Sequence, residues 1–189
     1  MLKKIGLFLT FAVFAFIISA CNANKDSTPQ GDEEAVPVSG HTPVSVNVLN
    51  TEGAKIGKAS LSETKEGVKI DLKAEGMEPG IKAIHIHETA KCDPPDFKSA
   101  GAHFNPGHRE HGFENPKGFH AGDLPNIEIS DKGTVNVSIV APNVTLQQGE
   151  KSLLDEDGSA LVIHEKADDY KTDPAGNAGD RIACGTIGK

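Results

Sequence analysis

The sequence predicts an all-β domain of short antiparallel strands folded into a sandwich or barrel, and three observations carry that expectation. Apolar residues alternate with polar ones at a period of two, turn residues separate these runs, and no long stretch repeats at the helical period. Val44, Val46 and Val48 alternate with polar or small partners, and Gly67-Val68-Lys69-Ile70-Asp71-Leu72-Lys73 alternates again, as a half-buried strand requires. Further strands are expected at Ala54 to Ser62, Ile81 to Glu88, Asn126 to Ser130, Thr134 to Ala141, Ser159 to His164 and Ile182 to Ile187, eight in all. Glu66-Gly67, Pro79-Gly80, Asp131-Lys132-Gly133 and Asp157-Gly158 supply turns between them. Two long segments, Thr89 to Leu124 and Lys166 to Asp180, lack strand pattern, and structureless loops of that length in a compact domain are usually functional.

The amino-terminal 43 residues have a different character. Lys3 and Lys4 precede the uncharged, mostly apolar run Ile5 to Ala20, so residues 1–20 have the layout of an export signal and are too short to span a membrane comfortably. Ile18-Ser19-Ala20-Cys21 resembles a bacterial lipobox, in which the cysteine is diacylated and becomes the first mature residue. Two acyl chains suffice for lasting attachment to a bilayer, whereas one binds marginally. Residues 21–43 are then the lipidated cysteine and a polar tether with too little apolar content to order itself, which leaves residues 44–189 as one domain. The protein is expected outside the cytoplasm, anchored to the bacterial membrane through Cys21.

The formal net charge is −8, and −10 once Lys3 and Lys4 are removed, so the mature chain is acidic and ill suited to nucleic acid or anionic lipid. Cys21, Cys92 and Cys184 are its only cysteines. With lipid on the first, the other two are left in an oxidising compartment, where a disulfide is the default, although the sequence alone does not show that they meet.

Six of the eight histidines invite a site. In Ala83-Ile84-His85-Ile86-His87 the strand alternation sets His85 and His87 on one face and the isoleucines on the other. Leu161-Val162-Ile163-His164 has the same phase, so three imidazoles on two strands can converge outside the core. A rigid set of neutral imidazoles favours a metal with tetragonal nitrogen coordination, and copper(II) is the first-row divalent ion bound most strongly. His103, His111, His120 and Asp123 lie in a loop rich in glycine, and three histidines with one carboxylate give zinc a closed tetrahedral shell of the structural type. His108 fits neither set, and His41 lies in the tether.

Along nearly all of residues 45–188 the sequence resembles the copper/zinc superoxide dismutases. The motifs that carry the resemblance are Ile84 to His87, Ser99 to Pro106, His111-Gly112, His120 to Leu124, Leu161 to Asp169 and Gly176 to Gly185. The resemblance implies an eight-stranded antiparallel Greek-key barrel, copper at His85, His87, His103 and His164, and zinc at His103, His111, His120 and Asp123, with His103 shared. It further implies a Cys92 to Cys184 disulfide, Asp168 tying the two sets together through free ring nitrogens, and Arg181 holding superoxide beside copper. His103 and Arg181 are the residues it assigns to catalysis. Copper redox cycling would convert superoxide to dioxygen and hydrogen peroxide, while His103 would carry a proton.

One segment departs from the family pattern. Tyr170 to Ala175 is shorter than in the animal cytosolic members and lacks their glutamate and lysine guidance cluster, so steering of the anion falls to the field near Arg181, helped by Lys166 and Lys171. A non-catalytic copper- and zinc-binding module of the same fold is the competing reading. Loss of His85, His87 or His164 would favour it, and all three are present.

Overall fold

The computed structural model describes residues 42–188. The expected export signal, the lipobox with Cys21, almost all of the tether and His41 lie outside the described residues. Nine strands follow: β1 (Val44–Asn50), β2 (Lys55–Thr64), β3 (Gly67–Ala74), β4 (Gly80–Lys82), β5 (Ile84–His87), β6 (Ile127–Ile129), β7 (Val135–Ala141), β8 (Ser159–His164) and β9 (Arg181–Ile187). Seven form an antiparallel sheet in the order β5-β8-β9-β1-β2-β3-β7, while β4 and β6 pair separately.

The single strand expected at Ile81 to Glu88 is broken at Ala83, which accounts for nine strands where eight were expected. On one side of Ala83, residues 80–82 pair with β6; on the other, residues 84–87 pair with β8. Ala83 accepts from the His164 N–H at 2.9 Å and donates to the Lys166 carbonyl at 2.7 Å, so no backbone group is lost where the strand changes partner. Because β4 runs directly into β5, and β6 turns into β7 through Ser130 to Thr134, the two sheets curl toward one another as a Greek-key barrel.

The period-two pattern fills the interior. Val46 and Val48 of β1, Leu61 of β2, Ile70 and Leu72 of β3, Ile84 and Ile86 of β5, and Leu161 and Ile163 of β8 are buried in one apolar cluster. Each such side chain contributes about 1.5–3 kcal/mol by leaving water. Strand β8 is buried on both faces, because Ala160 and Val162 point away from the barrel into a second cluster with Phe97, Ala100 and Cys184. This outer cluster glues the segment around residues 89–101 onto the barrel wall.

A disulfide joins Cys92 in that segment to Cys184 in β9, with Cα atoms 5.6 Å apart and a sequence separation of 92. Closing a loop of that length restricts the unfolded chain, and the loop-entropy relation gives about 4–5 kcal/mol. Replacing both cysteines by serine is therefore expected to cost about 4 kcal/mol and to lower the midpoint of thermal unfolding of the metal-free protein by roughly 10–20 °C. An unchanged melting temperature in calorimetry would contradict this.

Candidate metal centre

His85 and His87 stand on the outer face of β5, opposite Ile84 and Ile86, as the alternation requires. Outward does not mean exposed, however: His85 and His87 are 0 % and 1 % accessible, because the long loops fold over them. The edge of β5 that does not face β8 receives this covering. Phe104 N donates to Ile86 O and Ile86 N donates to Gly122 O, both at 2.8 Å, which lays two stretches of the first long loop beside the strand. His103 is thereby set opposite His87, and Asp123 opposite His85. His164, at the end of β8, pairs with Arg181 across a bulge in β9.

Donor atoms of His85, His87, His103 and His164 lie within 4.8 Å of one another. On each ring one nitrogen is engaged: His85 Nε2 with Asp168 Oδ2 at 2.8 Å, His87 Nδ1 with the Gly101 carbonyl at 3.0 Å, and His164 Nδ1 with the Gly179 carbonyl at 3.3 Å. His103 Nδ1 lies 2.9 Å from Asp123 Oδ1. The other four nitrogens, His85 Nδ1, His87 Nε2, His103 Nε2 and His164 Nε2, are buried without a hydrogen-bond partner. The engaged nitrogens of His87 and His164 face carbonyls and must carry the proton, so their unengaged partners present lone pairs. Leaving such groups unmatched costs about 1–3 kcal/mol each, and a metal cation is the acceptor of lone pairs that would satisfy all four at once.

The second set is built around one carboxylate oxygen. Asp123 Oδ1 lies 2.9 Å from His103 Nδ1, 3.0 Å from His111 Nδ1 and 3.3 Å from His120 Nδ1, and His103 Nδ1 is 3.3 Å from His120 Nδ1. Bonds of about 2.0–2.2 Å around a tetrahedral zinc give donor separations of about 3.3–3.5 Å, close to these. Asp123 Oδ2 is taken by the amides of Gly112 and His120 at 3.0 and 3.1 Å, which fixes the carboxylate and turns Oδ1 inward. A tighter grouping replaces His120 by His85. His85 is committed elsewhere, because its Nε2 is held by Asp168 and its Nδ1 faces the first set, so His120 is the better fourth donor.

Asp168 joins the sets: its Oδ2 meets His85 Nε2, and its Oδ1 meets His111 Nε2 at 3.0 Å. Two glycines permit this closeness. A Cβ at Gly176, where φ is +61°, would strike Asp168 Oδ1, and one at Gly112, where φ is +103°, would strike the Tyr170 carbonyl. Sequence reading missed Asn126. Its side chain donates to the Asp168 carbonyl at 3.0 Å and accepts from the Asp168 amide at 2.8 Å, while its own amide donates to Tyr170 Oη at 2.7 Å. An asparagine after a proline at a strand start carries no signal of such a role.

Burial holds the rings of the first set neutral. It pushes His103 and His164 down to about 4 and lowers His85 and His87 as well, against the opposing pull of Asp123 and Asp168 where these act. His111 goes the other way. Burial disfavours its charge, but hydrogen bonds to Asp123 and Asp168 outweigh this and raise it to about 9. Burial likewise disfavours the charge of both carboxylates, yet the surrounding imidazoles hold Asp123 and Asp168 well below the usual carboxylate range.

Arg181 is half-buried beside the first set. Nη1 donates to the Phe97 carbonyl and Nη2 to the Gly101 carbonyl, each at 2.7 Å, and the Gly101 oxygen is the one that also holds His87. A cavity of about 710 Å³ opens over Arg181, bounded by Lys98, Asp96, Glu165, Gly179 and Asp180. Of the lysines expected to help, Lys171 is paired with Glu114 at 2.7 Å and Lys166 lies 3.9 Å from Glu165. Lys98 is instead the lysine that lines the cavity, and it pairs with Asp96 at 2.8 Å. His108 is exposed and joins neither set.

Comparison with known proteins accounts for this arrangement. The family model for copper/zinc superoxide dismutase matches residues 55–187. A relative named superoxide dismutase [Cu-Zn] 1, from Aquifex aeolicus, is 57% identical over 143 residues, covering 75% of this chain and 85% of its own. A superoxide dismutase-like protein from Bacillus subtilis is 43% identical over 189 residues, covering 96% and 95% of the two chains. The crystal structure of a SOD-like protein from Bacillus subtilis is 47% identical, with a TM-score of 0.74 over 76% of this chain and 97% of that one. With a family model spanning most of the barrel and both long loops, the chain belongs to the copper/zinc superoxide dismutase family.

Proposed function

We propose that His85, His87, His103 and His164 hold copper, that His103, His111, His120 and Asp123 hold zinc, and that the chain disproportionates superoxide. Two superoxide anions and two protons become one dioxygen and one hydrogen peroxide. The observation that carries the assignment is the convergence of four buried, unpartnered imidazole nitrogens next to a second, carboxylate-centred set that shares His103. Copper supplies the one-electron redox chemistry when bound, and zinc, enclosed by four protein donors, has no open position for substrate.

The protein's own groups do the rest. Arg181 spends two donors on the Phe97 and Gly101 carbonyls, which fixes the plane of the guanidinium and leaves its remaining N–H groups to bind a small anion. His103 is gripped from its Nδ1 side, so Nε2 can take up a proton and hand it to the reduced oxygen species without displacement of the ring. Asp168 holds the orientation of His85 and His111 from behind. A non-catalytic metal-binding module would have no use for a half-buried arginine held beside the first set at the mouth of a cavity, so the enzymatic reading is favoured. Metal analysis of the purified chain is expected to give about one copper and one zinc, with rapid superoxide consumption, and Arg181→Ala should lower kcat/KM about 10- to 100-fold with both metals retained. Zinc alone, and no activity after copper is supplied, would reject the function.

Zinc uptake should carry the signature of His111. Below the raised value of about 9, zinc must displace a proton from this ring, so its affinity should climb about tenfold per pH unit up to about 9. For an ordinary imidazole the climb would level near 6.5. Competition with a chelator across pH 6 to 10 measures the slope, and levelling near 6.5 would contradict the assignment.

Residues 1–20 are proposed as the export signal and Cys21 as a diacylated anchor for an extracytoplasmic domain. The lipobox-like Ile18 to Cys21 supports this, and so does the disulfide, which persists in oxidising compartments. Cys21→Ser should move the protein from the membrane fraction to the soluble one, and retention of the variant in membranes would dismiss the anchor.

A further inference from the structure

The structure assigns a positioning role at the zinc set to Asp173, an inference that rests on the metal reading above and goes beyond it. Each histidine of the set turns Nδ1 toward Asp123, so its Nε2 must be fixed from outside. His103 Nε2 belongs to the copper set, and His111 Nε2 is held by Asp168 Oδ1. Facing His120 Nε2 is Asp173 Oδ1, 4.0 Å away, and the same oxygen accepts the backbone N–H of His111 at 2.6 Å. One carboxylate oxygen thus addresses two zinc donors, one through its main chain and one through its ring. At 4.0 Å it acts on His120 as a neighbouring negative charge, favouring the tautomer with its proton on Nε2 and its lone pair on Nδ1, turned to Asp123.

The turn that presents Asp173 is laced independently of the set. Asp169 Oδ1 accepts from the amides of Lys171 and Thr172 at 2.9 and 2.8 Å, and its Oδ2 accepts from Thr172 Oγ1 at 2.6 Å and Asn177 Nδ2 at 2.9 Å. Gly176 N donates to the Thr172 carbonyl at 2.7 Å. Asp173 is therefore carried on a preformed turn, and together with Asp168 it clamps the first long loop from the second. Outer partners of metal-binding histidines contribute about 10- to 100-fold to affinity.

The test uses the full chain with the copper set filled, comparing the parent with Asp173→Ala and the near-isosteric Asp173→Asn. Competition with a chromophoric chelator should show zinc bound about 10- to 100-fold more weakly by both variants, and cobalt(II) in the zinc set should give a shifted ligand-field spectrum. The melting temperature of the metal-free protein reports folding, and if the alanine variant fails to fold the asparagine variant decides. Zinc affinity within about twofold of the parent, with an unchanged cobalt spectrum, would overturn the assignment. If the parent takes up no zinc, or Asp123→Ala retains it, the zinc reading itself is wrong and this inference goes with it.

Discussion

Six imidazoles and two carboxylates are buried together on the outer side of β5 and β8, and the rest of the structure is arranged to make that burial tolerable. Isolated charges of this kind cost several kcal/mol each. Here Asp123 and Asp168 each bond to imidazoles on more than one side, and burial keeps the rings of the first set neutral. What is left unsatisfied is four lone pairs aimed at a common point. A cation placed there would resolve the conflict, so the arrangement of the polypeptide itself specifies the kind of ligand it suits.

The barrel matters because it fixes angles that loops alone could not. β5 and β8 are hydrogen-bonded neighbours, with Ile84 opposite Ile163, so the rings of His85 and His164 lie 5.0 Å apart as a consequence of register. A slip of one residue along β5 would turn His85 and His87 into the core and Ile84 and Ile86 out of it. The packing of Leu161, Ile163, Ile84 and Ile86 inside the barrel is thus the force that holds the strand histidines of the first set in place. By contrast, His103, His111, His120 and Asp123 come from a loop that must be pinned from several sides, by β5, by Asp168 and by Asp173.

The strands and the two donor sets were legible in the sequence because each rests on a local signal: a period of two, a His-x-His on a strand, histidines among glycines. The break at Ala83 was not, since Ile81 to Glu88 reads as one alternating run and only the change of partner, from β6 to β8, divides it. Asn126 and Asp173 were equally hidden. Their roles depend on backbone amides and carbonyls brought close by the tertiary fold, which no residue type announces. Lys171 looked available as a guiding charge because Glu114, its partner at 2.7 Å, lies 57 positions away in the chain.

The Gly101 carbonyl shows how stability and chemistry meet in this protein. It accepts from His87 Nδ1 and from Arg181 Nη2, so one oxygen aligns a histidine of the first set and the arginine beside it. The segment that carries it is held to the barrel wall by the Phe97 cluster and by the bond from Cys92 to Cys184, in the strand that starts at Arg181. A looser disulfide loop would therefore disturb the arginine and His87 of the first set together, while the second set, pinned by Asp123, Asp168 and Asp173 on the other side, would feel it least. On this arrangement the disulfide belongs to the chemistry of the first set as much as to the stability of the fold.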